Sequence, residues 1–157
     1  MGMQLDFSML KPMDILDLAI SVEEEARAHY EQLASWAESR GGGPVVDFLH
    51  RMAGLEELHR SQLAELRQKK FGDTPRNYPE NLAWDVESPD YDSVGPGMTL
   101  KQALELARDA EMRAYEYYTE AGEYLNDPEA LELIARLRDS ELDHKRLLEE
   151  QIARLGE

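Results

Sequence analysis

One pattern of residue types occurs twice in this chain of 157 residues. In the first half, a segment with Glu23 and Tyr30 is followed by a segment in which Glu56 and His59 stand three positions apart. The second half repeats these types at Glu111, Tyr118, Glu141 and His144. The spacing within each segment is unchanged, with an offset of 88 residues in the first segment and 85 in the second. The repeat predicts two copies of one structural unit.

Helical periodicity and good helix formers run through four long segments, and strand signals are nearly absent. Three glycines, at 41–43, precede Pro44 and predict a tight antiparallel turn. Thr99 and Gln102 have the spacing of a capping box, and Asp127 before Pro128 reads as the start of another helix. The predicted helices cover about 12–39, 45–70, 99–126 and 128–155.

Residues 71–98 between the two hairpins are rich in proline, glycine and acidic residues and have no clear period. A helix of about 25 residues is about 37 Å long, and a linker of this length can return along it, so the second and third helices can be parallel. Tyr78, Trp84 and Tyr91 are expected to pack the linker against the helices, and a lid is the alternative. The predicted fold is all-α: one domain, 1–157, with two helical hairpins joined by a long crossover.

Composition excludes several classes of protein. A formal charge of −16 disfavours nucleic acid and anionic membrane surfaces as partners. No apolar run approaches the roughly 18 residues of a membrane span, and the start MGMQLDFSML has neither a basic region nor a small-residue cleavage site. Cysteine is absent, which removes disulfides and thiolate metal sites. A cytoplasmic location is expected.

The repeated acidic residues stand on helix faces that also carry apolar residues. The positions relative to the two turns place all four glutamates at similar depth, and an i, i+3 spacing puts each histidine on the same face as its glutamate. Charged groups on an inward face are rarely tolerated without partners. Six residues are therefore predicted to bind metal, with solvated helix surface as the alternative: Glu23, Glu56, His59, Glu111, Glu141 and His144.

Other ionisable residues fall off this inward stripe. By helical angle, His29 and His50 are expected on the surface. Glu24, Glu25 and Glu57 are expected to face solvent, although Glu24 is close enough in sequence to support a ligand.

Four carboxylates and two imidazoles form a hard-to-borderline donor set that suits Fe or Mn, with Zn as another occupant. Four carboxylates carry four negative charges, which two divalent ions neutralise, and an empty site would hold like charges in a low dielectric. Two ions about 3.5 to 4 Å apart can hold dioxygen or peroxide between them. The donor set thus favours two metal ions and oxidase or peroxidase chemistry.

The doubled arrangement of Glu on one helix and Glu-x-x-His on the next resembles the ferritin-like di-iron carboxylate proteins. The segments AISVEEEARAHY and LARDAEMRAYEYY are similar to the rubrerythrin branch, and the resemblance extends over residues 13–155. It implies two iron ions in a ferritin-like bundle. The implied roles are bridging ligands for Glu56 and Glu141, terminal carboxylates for Glu23 and Glu111, one ion each for His59 and His144, and a place near the cluster for Tyr30 and Tyr118. Core packing with a hydroxyl partner is preferred over redox chemistry for these tyrosines.

The chain also departs from its resemblance. Rubrerythrins carry a further glutamate three residues after the ligand of the third helix, where this chain has Ala114, and a four-cysteine rubredoxin domain. A self-contained NADH-linked peroxidase is therefore not expected. Cage-forming ferritins usually add a fifth helix, so a homodimer is expected rather than a mineral-storing shell.

The leading functional hypothesis is an oxidoreductase in which ferrous iron at the six ligands reacts with peroxide or dioxygen and an external donor returns the electrons. The second hypothesis is a protein that binds or delivers iron without catalytic turnover. The third is a metal-free helical interaction module. The sequence alone does not choose among Fe, Mn and Zn.

Overall fold

A computed structural model describes residues 6–76 and 97–155 of the chain. The helices are α1 (Pro12–Glu38), α2 (Pro44–Phe71), α3 (Leu100–Ala121) and α4 (Pro128–Leu155), and a short 3-10 turn at Phe7–Met9 precedes them. No strand occurs in these two ranges. The prediction of an all-α four-helix bundle is confirmed. Tyr78, Trp84 and Tyr91 lie outside the described residues.

Local chemistry sets the helix ends. Gly41 and Gly43 have φ angles of 65° and 58°, which glycine adopts without strain, and the chain reverses there before Pro44 opens α2. The capping box of α3 is present, since the Gln102 amide donates to Thr99 Oγ1 at 3.1 Å and the Thr99 amide donates to Gln102 Oε1 at 2.9 Å.

The third helix ends earlier than expected. It was predicted to reach residue 125 or 126, but it stops at Ala121, directly before Gly122. The amides of Glu123 and Tyr124 then donate to carbonyls only three residues back, which tightens the chain into a turn. Leu125 leaves the helix and enters the core with 4% of its surface exposed. The burial of one leucine by the turn thus overrides helix propensity.

The helices pair as two antiparallel hairpins, α1 with α2 and α3 with α4. Two apolar clusters fill the bundle. In each cluster, the beginning of one helix of a hairpin packs with the end of the other helix of that hairpin. One cluster contains Ile15 and Leu18 of α1 with Tyr117 of α3, and the other contains Leu33 of α1 with Leu104 of α3. Early residues of α1 therefore meet late residues of α3, so α1 and α3 are antiparallel and α2 runs parallel to α3. This direction requires the long crossover.

A layer of buried charged side chains belongs to neither apolar cluster. Ala26 of α1 and Ala114 of α3 are buried, and their small side chains leave room for long neighbours on the same helices. The bundle thus holds a polar centre with apolar packing on either side. No helix in the described ranges has a stretch long and apolar enough to span a bilayer.

Candidate metal centre

The six side chains expected to bind metal converge in the middle of the bundle, one or two from each helix. Each carboxylate is at most 1% exposed, and the two histidines are 4% and 6% exposed. Burial this complete is unusual for glutamate. The structure therefore brings together all six residues and excludes the alternative of solvated helix surface for them.

The six residues form two overlapping groups of four. In each group the candidate ligand atoms lie within 4.8 Å of one another. Glu56 and Glu141 belong to both groups. Glu23 and His59 complete the group on the side of the first hairpin, and Glu111 and His144 complete the other. Each hairpin thus supplies one glutamate and one histidine that belong to a single group, and one glutamate that both groups share.

The histidine rings meet the carboxylates through Nδ1. His59 Nδ1 lies 3.3 Å from Glu23 Oε1, and His144 Nδ1 lies 3.1 Å from Glu111 Oε2 and 3.3 Å from Glu56 Oε1. The two rings are nearly parallel, at 7°, with centroids 5.4 Å apart. This near-symmetric arrangement is what the duplicated sequence requires if each imidazole serves one group.

The two tyrosines of the repeat bind carboxylates of the opposite hairpin. Tyr30 on α1 donates its hydroxyl proton to Glu111 Oε1 at 2.7 Å, and Tyr118 on α3 donates to Glu23 Oε2. Burial, followed by the charge of Glu23, raises the pKa of Tyr118 well above its usual value. Tyr118 is therefore a neutral phenol that donates a hydrogen bond. Both tyrosines lie near the cluster, as the resemblance implied. Each contacts a carboxylate of the other hairpin, which the sequence did not predict.

The electrostatics of the centre show an excess of negative charge. Burial, and then the charges of neighbouring carboxylates, raise the pKa values of Glu56 and Glu141 well above 4.5. Burial opposes protonation of His144, but Glu111 and Glu56 outweigh it and raise its pKa to about 11. Burial would also raise the pKa of Glu111, yet contacts with Glu141, His144 and Tyr30 together lower it. These shifts oppose ionisation of Glu56 and Glu141 and favour the protonated form of His144.

The two shared glutamates have unused oxygens. Both carboxylate oxygens of Glu141 are buried and make no hydrogen bond within the described residues, and Oε1 of Glu56 makes none but lies 3.3 Å from His144 Nδ1. An unpartnered buried carboxylate oxygen costs free energy that a cation would recover. Oxygen and imidazole donors suit Fe, Mn or Zn. The residues present therefore fit a metal centre, and the atoms that lack partners belong to the residues shared by both groups.

One expectation about histidine is wrong. His29 was expected on the surface, but it is 6% exposed, with Nε2 lying 3.6 Å from Glu25 Oε2. Burial, and then the charge of Arg113, lower the pKa of His29 to about 4. The helical-angle argument assumed a single inward stripe, whereas α1 packs against both α2 and α3 and buries a wider arc. His50 is exposed as expected.

Sequence reasoning also missed two buried acids near the start of α1. Asp14 and Asp17 are 4% and 3% exposed. Asp17 accepts hydrogen bonds from Arg67 at 2.7 and 3.1 Å, and Asp14 caps the helix by accepting from the Lys11 amide at 2.9 Å. Their positions beside the inward-facing Ile15 and Leu18 were the available signal. The expected solvent-facing acids are exposed in the case of Glu24 and partly exposed for Glu25 and Glu57.

The fold and the site define a class of protein: a four-helix bundle with a buried carboxylate–histidine site of the kind that binds metal. The sequence profile of the rubrerythrin family matches residues 14–152, and the chain belongs to this family.

Two solved structures are similar to the whole chain. An uncharacterized conserved protein from Magnetospirillum magnetotacticum MS-1 is 26% identical, with a TM-score of 0.78, and the match covers 92% of this chain and 95% of that one. A hypothetical protein from Pyrococcus furiosus is 21% identical, with a TM-score of 0.74 and coverage of 94% and 92%. The second likeness concerns the fold alone. No curated protein matches the chain.

Proposed function

We propose that this protein binds two iron ions and reacts them, in the ferrous state, with peroxide or dioxygen. The observation that carries the proposal is the pair of overlapping ligand groups, in which Glu56 and Glu141 take part in both. A site for one ion needs only one group. Two adjoining groups with two shared carboxylates offer each ion its own glutamate and histidine and balance the charge of four carboxylates with two divalent cations.

The roles of the ligands follow from this grouping. Glu23 and His59 would hold one ion, Glu111 and His144 would hold the other, and the two shared glutamates would bridge them. When bound, two ferrous ions supply two electrons, which together with two protons reduce one molecule of hydrogen peroxide to two molecules of water. Mn or Zn could occupy the same donors, but Zn has no redox chemistry to offer.

The remaining residues prepare the site. Tyr30 and Tyr118 donate to Glu111 and Glu23 and so fix the orientation of these two carboxylates. The apolar clusters on either side keep water out, which strengthens each ion–ligand interaction. Metal binding requires deprotonated ligands, so uptake of cations should release protons from Glu56, Glu141 and His144.

Anaerobic titration with ferrous iron, followed by peroxide, tests the proposal. Equilibrium binding should saturate at two irons per chain, and peroxide should then produce the near-ultraviolet absorption of ferric iron. The variant Glu56→Gln with Glu141→Gln should lose both results, while Glu116→Gln with Glu123→Gln, which removes two exposed charges, should keep them. Saturation at one iron per chain, or ferrous iron that peroxide leaves unchanged, would contradict the proposal.

Iron binding without catalytic turnover is the second candidate. It requires the ligand groups and no return of electrons to the iron, and the 157 residues contain no cysteine for a thiolate iron centre. A single turnover with peroxide that no added reductant can repeat, together with ready release of iron to chelators, would support this candidate. Repeated peroxide consumption with a small-molecule reductant would instead support an enzyme with an external electron donor. The homodimer and the cytoplasmic location stay predictions.

A further inference from the structure

A surface cleft between α2 and α4 reaches one of the candidate ligands. It has a volume of about 350 Å³ and includes His59 in its lining. Gln62 of α2 and Ser140 of α4 contribute polar side chains beside His59, and Asp139 and Asp143 of α4 also line it. Glu56 and Glu141 belong with His59 to the group whose candidate ligand atoms lie within 4.8 Å of one another. The cleft therefore leads from solvent to the group that contains Glu23.

The duplicated sequence allows a comparison with the opposite position. At positions matched by the repeat, polar residues near His59 correspond to apolar residues near His144. The matched pairs are Gln62 with Leu147 and Ser140 with Leu55. Asp143 and Leu58 are matched with each other, and both line the cleft at His59. A cleft of about 310 Å³ contains Leu55 and Leu147, but the rest of its lining lies nearer the start of α2 and the end of α4, and His144 is not part of it. The side chains around the two histidines thus differ although the ligands are equivalent.

The charges of the two clefts also differ in sign. The cleft at His59 contains two carboxylates, Asp139 and Asp143, and one guanidinium. The cleft at Leu55 and Leu147 contains two guanidiniums and one carboxylate. Charge of one sign along a cleft concentrates ions of the opposite sign and accelerates their association. The excess of carboxylates therefore favours a divalent cation in the cleft at His59 over the cleft at Leu55 and Leu147.

The other side of the site offers less room. Tyr30 of α1 and Tyr118 of α3 hydrogen-bond to the carboxylates from that side, and each is at most 3% exposed. Ala26 and Ala114 are buried between the same helices. A cation that entered between α1 and α3 would have to displace buried phenol groups from their hydrogen bonds.

We propose that the cleft at His59 is the entrance through which divalent cations reach the buried site. The ion held by Glu23 and His59 then exchanges with solvent faster than the ion held by Glu111 and His144. This inference rests on the proposed two-metal site and adds a path and an order of exchange to it.

Uptake of cobalt(II) by the metal-free protein, followed by stopped-flow absorption in the visible range, tests the entrance. Gln62→Leu with Ser140→Leu gives this cleft the residues of its matched counterpart and should slow uptake by about tenfold, with two cobalt ions still bound at equilibrium. The matched control, Leu55→Ser with Leu147→Gln, should leave the rate of the first ion within about twofold. Unchanged uptake in the first variant, or equal slowing in both, would overturn the entrance.

A charge-only variant covers the case in which the double leucine variant does not fold. Asp139→Asn with Asp143→Asn should slow uptake about threefold at low ionic strength, and salt should shrink the difference. Glu116→Gln with Glu123→Gln changes the net charge equally at exposed positions that do not line the cleft, on α3 and in the turn after it, and should slow uptake less. Equal effects of the two variants would show that only net charge matters and would overturn the proposal.

The order of exchange has its own test. Glu111→Gln removes a ligand of the position that contains His144. The ion that remains, at Glu23 and His59, should leave rapidly to a chelator. Glu23→Gln should leave an ion that departs slowly. The reverse order would overturn the inference. Failure of cobalt to bind at equilibrium would instead overturn the proposed function, so the two failures are distinguishable.

Discussion

Carboxylates are buried in two regions of this bundle, and the two regions meet the cost of burial differently. Near the start of α1, Asp17 faces the guanidinium of Arg67 on α2, with two hydrogen bonds of 2.7 and 3.1 Å. In the centre, four glutamates share two histidines, and three carboxylate oxygens of Glu56 and Glu141 make no hydrogen bond among the described residues. The first region contains its own cation. The second places four carboxylates around two histidines, with no arginine or lysine among the six residues.

This difference separates structural acids from ligands. Arg67 also donates to the carbonyl oxygens of Gly72 and Thr74, so its charge is committed to holding the end of α2. A guanidinium in the centre would fill the space between the shared glutamates and complete their hydrogen bonds. The ion pairs of the central carboxylates are with His59 and His144 instead, both of which can bind metal when neutral.

The largest expected effect comes from removing charge in the centre. Glu56→Gln with Glu141→Gln should leave the metal-free protein at least as stable as the parent, because burial and neighbouring carboxylates disfavour the charged form of both side chains and glutamine carries no charge. The parent should gain about 5 kcal/mol when two positions are filled at free metal 100 times above the dissociation constant, and the variant should lose this gain. Thermal unfolding with and without cobalt(II) measures both.

The same measurement addresses the metal-free interaction module. If the bundle serves only as a docking scaffold, cobalt(II) will not raise the melting temperature of the parent chain. Glu116→Gln with Glu123→Gln controls for the general effect of lower negative charge and should retain the gain. A parent without metal-dependent stability would remove the contrast between the two buried regions.

The second largest effect is expected at the other region. Arg67→Ala should destabilise the protein by about 4 kcal/mol, since the carboxylate of Asp17 stays buried without the guanidinium. Arg60→Ala, at a partly exposed ion pair with Glu57, should cost under about 1 kcal/mol. Urea unfolding of the metal-free protein measures both variants. Metal stoichiometry should stay at the parent value in each case, and a loss of metal binding in Arg67→Ala would contradict the separation of the two regions.

Much of the fold follows from the sequence because the duplication constrains it strongly. The glycine turn before Pro44, the capping box at Thr99 and the proline at 128 are local signals, and each stands where a helix begins or ends. The end of α3 was not predictable by the same means. Its position depends on the burial of Leu125 against the other helices, which is a tertiary contact.

The candidate site divides in the same way. The shared depth and spacing of Glu23 and Glu56 with their repeats predicted that six side chains would meet, and they do. The exchange of Tyr30 and Tyr118 between hairpins could not be predicted, because it depends on how α1 crosses α3. His29 was misplaced for a related reason, since the second packing surface of α1 exists only in the assembled bundle.

The third largest effect is a pH dependence of folding stability that arises from the buried imidazole of His29. The pKa of His29 falls from 6.5 in the unfolded chain to about 4 in the folded protein, so the unfolded chain binds more protons between these values. Above pH 6.5 the imidazole is neutral in both states and has no effect, and as the pH falls toward 4 the folded protein loses stability relative to the unfolded chain. The loss should amount to about 3 kcal/mol.

Urea unfolding between pH 4 and 7 of the parent, His29→Gln and His50→Gln measures this contribution. Carboxylates titrate in the same range, so the informative quantity is the difference in slope between variant and parent. His29→Gln should flatten the curve, whereas His50→Gln, at an exposed position, should not. A parallel curve for His29→Gln would mean that the buried imidazole does not resist protonation.

The smallest effect concerns the tyrosines that hydrogen-bond to Glu23 and Glu111, each of which belongs to a single ligand group. Tyr30→Phe and Tyr118→Phe each remove one hydroxyl donor from Glu111 or Glu23, and each should weaken metal binding by about tenfold. Tyr117 offers a matched control, because its buried hydroxyl donates to the Ile15 carbonyl at 2.7 Å and not to a carboxylate. Tyr117→Phe should cost about 1 kcal/mol of folding stability and leave cobalt affinity unchanged. If all three variants weaken cobalt binding equally, the tyrosines act by packing and not by hydrogen bonds to carboxylates. The orientation of the central carboxylates would then not distinguish them from Asp17, which pairs with Arg67.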